Sequence, residues 1–184
     1  MSTIGSYQDI EVTLGDNYVA VVEIRRPPHN FFDISLINQI ADAYSTLDDH
    51  NGCRAIVLAA QGKNFCAGAN FGGGDEDAGN AEKSEGGKIS GHLYQHAVRI
   101  FEAKTTVIAA VQGAAIGGGL GLAVSADFRV TCPEGRFSAN FTRLGFHPGF
   151  GLTHTLPRLV GQNKAAELFY TGRRVKGDEA FEIG

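Results

Sequence analysis

The chain has 184 residues, 43% of them hydrophobic, which is enough to build the core of one globular domain. Its formal net charge of −4 argues against a nucleic-acid-binding surface, and no apolar run reaches the roughly 18 residues that a membrane span needs. Three cysteines without metal-ligand spacing, and an N-terminus without a signal-peptide pattern, predict reduced thiols in a cytoplasmic protein.

The first third of the chain predicts a strand pair followed by a helix. Alternating apolar residues indicate strands at Ile10–Leu14 and Val19–Ile24, joined by a turn at Gly15–Asn17. Pro27-Pro28 ends the second strand. Asp33 is expected to cap a helix whose apolar residues recur at helical spacing, namely Leu36, Ile37, Ile40, Ala41, Tyr44 and Leu47.

The middle of the chain predicts a buried strand, a loop and a second helix. Ala55–Ala59 is apolar throughout, as in a strand of a parallel sheet. The segment from Gly72 to Lys88 is polar, glycine-rich and aperiodic, so we predict a mobile loop there. A helix from Ile89 to Glu102 follows, and its inner face is expected to hold Leu93, Ala97, Ile100 and Phe101.

The last third continues the alternation of strands and helices. Strands are predicted at Val107–Val111 and Asp127–Thr131, with a helix at Leu120–Val124 between them. Two further helices are predicted, Leu152–Leu159, disturbed at Pro157, and Lys164–Tyr170. This alternation indicates an α/β fold in one domain over residues 1–184.

Two segments carry the strongest functional signal. Phe65–Asn70 and Val107–Gly119 each run from an apolar strand into a tight turn of small residues, and the second turn opens a helix. Small residues let a ligand approach the backbone, and a helix start adds N–H groups without intrahelical acceptors. Two such turns can aim two N–H groups at one carbonyl oxygen and stabilise the negative charge that develops there.

The glycines of the second turn have one packing alternative and two nucleotide-binding alternatives. The packing alternative is that small residues only let a helix lie close to a sheet. The spacing of Gly117, Gly118, Gly119 and Gly121 does not match the G-x-G-x-x-G dinucleotide fingerprint. No Gly-Lys-Ser/Thr follows, which excludes a P-loop.

Together the two segments resemble the oxyanion-hole signature of the crotonase (enoyl-CoA hydratase/isomerase) superfamily. The likeness extends to Ala126-Asp127, Leu156–Gly161 and Thr171-Gly172-Arg173. It implies a spiral of ββα units and a coenzyme A thioester as substrate, with no further cofactor and no metal. The N–H groups of Ala69 and Gly118 would polarise the thioester carbonyl. The other residues that the resemblance places at the substrate are Ala67, Asn70, Gly117 and Phe141.

The resemblance also implies a homotrimer or a dimer of trimers, with no nucleic-acid or membrane partner. The sequence stops at Gly184, where a crotonase continues into a strand and several helices. These helices support trimer assembly and cover part of the CoA site in the family. We therefore expect the C-terminal trimerisation helices to lie outside this sequence.

Crotonase hydratases use two glutamates, and this chain has neither of them. The position two residues after the glycine triplet is Gly121. The second glutamate belongs to an F-x-x-P-E pattern, where this chain has Phe141, with Phe137, Gly145 and Pro148-Gly149 in register. A positioned acid or base contributes about 10²–10⁴ in rate. Ordinary hydratase activity is therefore doubtful.

Other side chains are candidates for proton transfer. His147 precedes Pro148-Gly149 on the segment that lines the acyl pocket in the family. Histidine titrates near neutral pH, which suits proton transfer. The alternative is that His147 caps a helix or faces solvent. His92 and His96 lie one helical turn apart, where packing or exposure is the simpler role. Cys66 flanks the first turn, where a small buried residue is a simpler interpretation than a nucleophile. Three carboxylates lie in the loop predicted to be solvated, namely Asp75, Glu76 and Asp77.

Two hypotheses of different class remain. In the first, the protein is an enzyme that stabilises an acyl-CoA enolate and catalyses isomerisation, decarboxylation or hydrolysis. In the second, it is a non-catalytic acyl-CoA-binding member of the family. Phe141, Phe146 and Phe150 predict an apolar wall suited to a hydrophobic acyl group, or else belong to the core.

Overall fold

The computed structural model describes residues 1–69, 81–83 and 89–184. The strands, in chain order, are β1 Ser2–Thr3, β2 Ile10–Leu14, β3 Val19–Ile24, β4 Ala55–Ala60, β5 Ala81–Lys83, β6 Ile89–His92, β7 Thr106–Val111, β8 Ala114–Ile116, β9 Phe128–Thr131, β10 Arg136–Ser138 and β11 Val175–Lys176. The helices are α1 Ile34–Asp48, α2 Leu93–Ala97, α3 Gly118–Ser125, α4 Leu152–Val160, α5 Gln162–Thr171 and α6 Gly177–Glu182. Two 3₁₀ helices cover Val98–Glu102 and Asn140–Leu144.

A six-stranded sheet in the order β1-β2-β3-β4-β7-β9 forms the framework. The hairpin β2–β3 is antiparallel, whereas β3–β4, β4–β7 and β7–β9 are parallel. A second sheet has the order β11-β10-β8, and β5 pairs with β6. The chain passes from the large sheet to the small one and then into a helical segment through β7, β8 and α3. It does so again through β9, β10 and the 3₁₀ helix Asn140–Leu144. The α/β class predicted from the sequence is confirmed.

Helix α1 shows how closely local sequence determines local structure here. The carboxylate of Asp33 accepts a hydrogen bond from the backbone N–H of Leu36 at 2.8 Å, which caps the helix as predicted. The apolar residues at helical spacing are all buried, and they pack the helix against β2, β3 and α2. The buried residues are Leu36, Ile37, Ile40, Ala41, Ala43, Tyr44 and Leu47.

Three predictions for the middle of the chain are wrong where the structure describes it. Residues Ile89–His92 form a strand that pairs antiparallel with Ala81–Lys83, so the helix begins only at Leu93. Cross-strand backbone pairing replaces helical hydrogen bonding here, and Gly91 disfavours a helix. Phe101, assigned to an inner face, is 40% exposed. Within the loop predicted from Gly72 to Lys88, Ala81–Lys83 form strand β5, and the rest of that segment lies outside the described residues.

In the part of the chain that the structure describes, no helix is long and apolar enough to cross a membrane.

Tyr44 offers a test of the core. Its hydroxyl is buried and has no hydrogen-bond partner among the described residues. Burial, assisted by the nearby Asp127, raises the pKa of this phenol. An unpaired buried hydroxyl costs about 1–3 kcal/mol, so we expect Tyr44→Phe to raise the free energy of unfolding by about 1 kcal/mol.

Urea unfolding would measure this change, with Tyr170→Phe as the matched control, because Tyr170 is 82% exposed. Destabilisation by Tyr44→Phe would show that the Tyr44 hydroxyl has a partner.

Candidate active site

The first small-residue turn is held to strand β8 by backbone hydrogen bonds. The N–H of Cys66 donates to the carbonyl of Ala114 at 2.9 Å, and the N–H of Ile116 donates back to the carbonyl of Cys66 at 3.0 Å. These two bonds bring the first turn beside the second turn, because β8 leads directly into Gly117.

The segment before helix α1 holds the other side of the first turn. The N–H of Ala67 donates to the carbonyl of His29 at 3.0 Å, and the N–H of Phe32 donates to the carbonyl of Gly68 at 3.1 Å. The buried side-chain amide of Asn30 fixes this segment. It donates hydrogen bonds to the backbone carbonyls of Gln61 and Asn64, which precede the first turn. Sequence reasoning missed this support, because an asparagine after two prolines reads as an ordinary loop residue.

The second turn depends on the conformation of Gly117. Its φ of +56° lies in a region that favours glycine, and its N–H donates to the carbonyl of Ser138 in β10 at 2.8 Å. Helix α3 then begins at Gly118, whose N–H has no acceptor within the helix.

Two backbone N–H groups remain available where the turns meet. Those of Ala69 and Gly118 donate no hydrogen bond to any described residue. The two turns are in contact, since a Cβ atom built on Gly68 would lie 3.9 Å from the nitrogen of Gly118. Ala69 and Gly118 line the same cavity, whose volume is about 140 Å³. Such an arrangement can bind a carbonyl oxygen and the negative charge that develops on it.

The side chains that line the cavity are almost all apolar in the part of the chain that the structure describes. Among the described residues that line it, Asn140 alone has a polar side chain, and none has a charged one. Sequence reasoning did not single out Asn140. The lining residues are Phe32, Ala67, Gly68, Ala69, Leu93, Ile116, Gly117, Gly118, Asn140, Phe141, Leu144 and Phe146.

An aromatic cluster lies against α3 beside this cavity. A Cβ atom on Gly118 would come within 2.2 Å of the ring of Phe32, and one on Gly121 within 2.5 Å of Cβ of Phe150. The rings of Phe32 and Phe150 are 5.6 Å apart. Phe150 is therefore a core residue that occupies the space beside Gly121. Phe141 and Phe146 line the cavity as predicted, whereas Phe150 does not.

Two of the predicted proton-transfer candidates, His147 and His96, lie outside the cavity lining. His147 is exposed, its Nδ1 lies 2.9 Å from the carbonyl oxygen of Pro148, and it is absent from the cavity lining. His96 is half-buried, with Nδ1 3.1 Å from Oδ1 of Asn38. The structure does not describe the other candidates, namely Asp75, Glu76, Asp77 and the side chain of His92, nor the predicted substrate-binding residue Asn70.

Cys66 has a packing role in the first turn. Its side chain is fully buried, and this burial raises the pKa of the thiol to about 12. The thiol is therefore neutral at physiological pH, which makes it a poor nucleophile.

A larger cavity of about 930 Å³ lies on the far side of α3. It is lined by residues of α3, β9, α4 and α6, among them Leu120, Val124 and Leu156. It contains neither small-residue turn, so the smaller cavity remains the candidate site.

Comparison with known proteins gives concordant matches. A family model described as enoyl-CoA hydratase/isomerase matches residues 15–184. The chain is 32% identical over 169 residues to the probable enoyl-CoA hydratase of Bacillus subtilis, covering 92% of this chain and 64% of that protein. It is 37% identical over 169 residues to the crotonyl-CoA hydratase of Syntrophomonas wolfei, covering 90% and 63%.

Solved structures agree with these matches. The crystal structure of a probable enoyl-CoA hydratase/isomerase from Mycobacterium abscessus superposes with a TM-score of 0.82 at 37% identity, over 96% of this chain and 66% of that one. The chain spans less than two thirds of the length of the two curated relatives above.

Proposed function

The chain belongs to the enoyl-CoA hydratase/isomerase family, and on that premise we propose that it acts on an acyl-CoA thioester whose enolate is stabilised by the N–H groups of Ala69 and Gly118. The observation that carries the proposal is the pair of available N–H groups at one apolar cavity. Loss of one such donor typically costs about 10²–10³ in kcat. The thioester is the substrate, and the mechanism needs no further cofactor or metal.

The reaction is one that demands little from acidic or basic side chains. Hydration of an enoyl thioester needs an activated water and a proton for the α-carbon. Gly121 has no side chain and Phe141 has no proton-transfer group. His147 lies outside the cavity lining. We therefore propose isomerisation, decarboxylation or hydrolysis as the reaction, in preference to hydration. We also propose that the complete protein is a cytoplasmic homotrimer or dimer of trimers.

The alternative is a member that binds acyl-CoA without turning it over. The lining supports it, because no side chain among its described residues titrates near neutral pH. Turnover of a panel of CoA esters followed against pH would separate the two functions. Activity with any ester supports the enzyme, whereas tight binding without turnover supports the binding protein.

Carbonyl recognition is directly testable with two ligands that differ in one oxygen. Butyryl-CoA has the thioester carbonyl, and the thioether S-butyl-CoA lacks it. Because two N–H groups face the carbonyl in this proposal, we expect butyryl-CoA to bind roughly ten-fold more tightly. Isothermal titration calorimetry measures both dissociation constants, with free CoA as the control. Equal affinities would contradict the oxyanion-hole assignment.

A further inference from the structure

Asn140 carries the one polar side chain among the described residues that line the cavity. The remaining side chains that line the cavity within the described residues are aliphatic or aromatic, or are absent at glycine. An amide that faced only such surfaces would lose its hydrogen bonds to water without replacement. Asn140 is half-buried, so a ligand that displaces solvent from the cavity must supply the amide with a polar partner.

Within the described part of the chain, the Asn140 amide serves no structural hydrogen bond. Asn140 is half-buried at the start of the 3₁₀ helix Asn140–Leu144, and the preceding residue, Ala139, occupies the cap position. Asparagine near a helix start commonly bonds a neighbouring backbone group. Here its side chain makes no hydrogen bond with the residues that the structure describes. Both its donor and its acceptor are thus available to a ligand.

The amide lies next to the carbonyl-binding turn. A Cβ atom on Gly117 would lie 3.1 Å from Oδ1 of Asn140, and Gly117 directly precedes Gly118. The described residues line about 140 Å³ of this cavity. Because Gly117 adjoins Gly118, a thioester carbonyl bound at Gly118 would place the first acyl carbons nearest to the amide.

We propose that Asn140 is a specificity-determining residue that hydrogen-bonds an uncharged oxygen, hydroxyl or oxo, on the acyl group close to the thioester. This inference rests on the proposed acyl-CoA function. A carboxamide matches both oxygen types, because it donates to an oxo group and accepts from a hydroxyl. A wholly apolar acyl group would leave the amide unpaired, so the site discriminates against it.

The test compares three thioesters that differ only at the third acyl carbon, namely butyryl-CoA, 3-hydroxybutyryl-CoA and 3-oxobutyryl-CoA. Dissociation constants are measured for the wild-type full chain, for Asn140→Leu, which is similar in shape and apolar, and for Asn140→Ala. Asn163→Leu is the matched control, because Asn163 is exposed on α5 and lines neither cavity. Circular dichroism verifies that each variant is folded.

We expect the wild type and Asn163→Leu to bind at least one oxygen-bearing thioester roughly three- to ten-fold more tightly than butyryl-CoA. Both Asn140 variants should lose this preference and retain butyryl-CoA binding. The role of Asn140 is overturned if the wild type shows no such preference, or if the preference survives in Asn140→Leu and Asn140→Ala. Either result leaves the proposed function intact. Failure of the folded wild type to bind any of the thioesters overturns the proposed function as well.

Discussion

Crotonyl-CoA should be hydrated by this protein several powers of ten more slowly than by a hydratase with two glutamates. Each positioned acid or base contributes about 10²–10⁴ in rate, and this chain has Gly121 and Phe141 at the two positions. The two losses in rate overlap if the two glutamates act as a unit. The product of the two factors is therefore an upper bound on the total loss in rate. Loss of the enoyl absorbance measures the rate, with the Syntrophomonas wolfei crotonyl-CoA hydratase as the comparator.

The structure also defines the substitutions that would restore hydration. Gly121→Glu alone places its Cβ 2.5 Å from Cβ of Phe150, so the glutamate does not fit unless Phe150 is removed. Phe150 has a φ of +54°, which glycine adopts without strain. We therefore expect Gly121→Glu, Phe141→Glu and Phe150→Gly together to hydrate crotonyl-CoA at least about 10² faster than the wild type.

Phe150→Gly alone is the control for this triple variant, and it should remain inactive in hydration. Thermal unfolding must accompany the assay of both variants. Replacing buried Phe141 with glutamate costs stability, and Phe150→Gly leaves a cavity in the core. A wild-type rate equal to that of the comparator would contradict the prediction and require another proton-transfer residue.

Gly119→Ala should disrupt the contact between the two turns. A Cβ atom on Gly119 would lie 2.1 Å from the carbonyl oxygen of Cys66, and this oxygen also accepts the hydrogen bond from Ile116. A backbone carbonyl cannot rotate away as a side chain can, so α3 must move off the first turn. We expect the free energy of unfolding to fall by about 3 kcal/mol or more and thioester binding to be lost.

Urea unfolding and calorimetric binding of butyryl-CoA measure these two effects. Gly52→Ala is the matched control, because its Cβ would meet side-chain atoms alone, the exposed His50 ring at 3.1 Å and Cδ2 of Leu14 at 3.5 Å. A Gly119→Ala variant within about 0.5 kcal/mol of wild-type stability would show that α3 does not lie so close to the first turn.

Much of the fold was determined by the sequence alone, wherever neighbouring residues decide the structure. The bounds of β2 and β3, the Asp33 cap and the buried face of α1 follow from local periodicity and capping. The resemblance to crotonases is confirmed by the family match, and the crotonase fold by the structural neighbours. The small residues of the two turns also identified the segments that meet at the cavity.

The character of the site was decided only by the tertiary structure. The lining combines Phe32, Leu93 and Asn140, which are far apart in the sequence, and no local pattern predicts that they share a cavity. The contact of Phe150 with Gly121 and the exposure of His147 depend on how the chain turns after β10. Local rules act over a few residues, whereas a cavity wall is set by packing between distant segments.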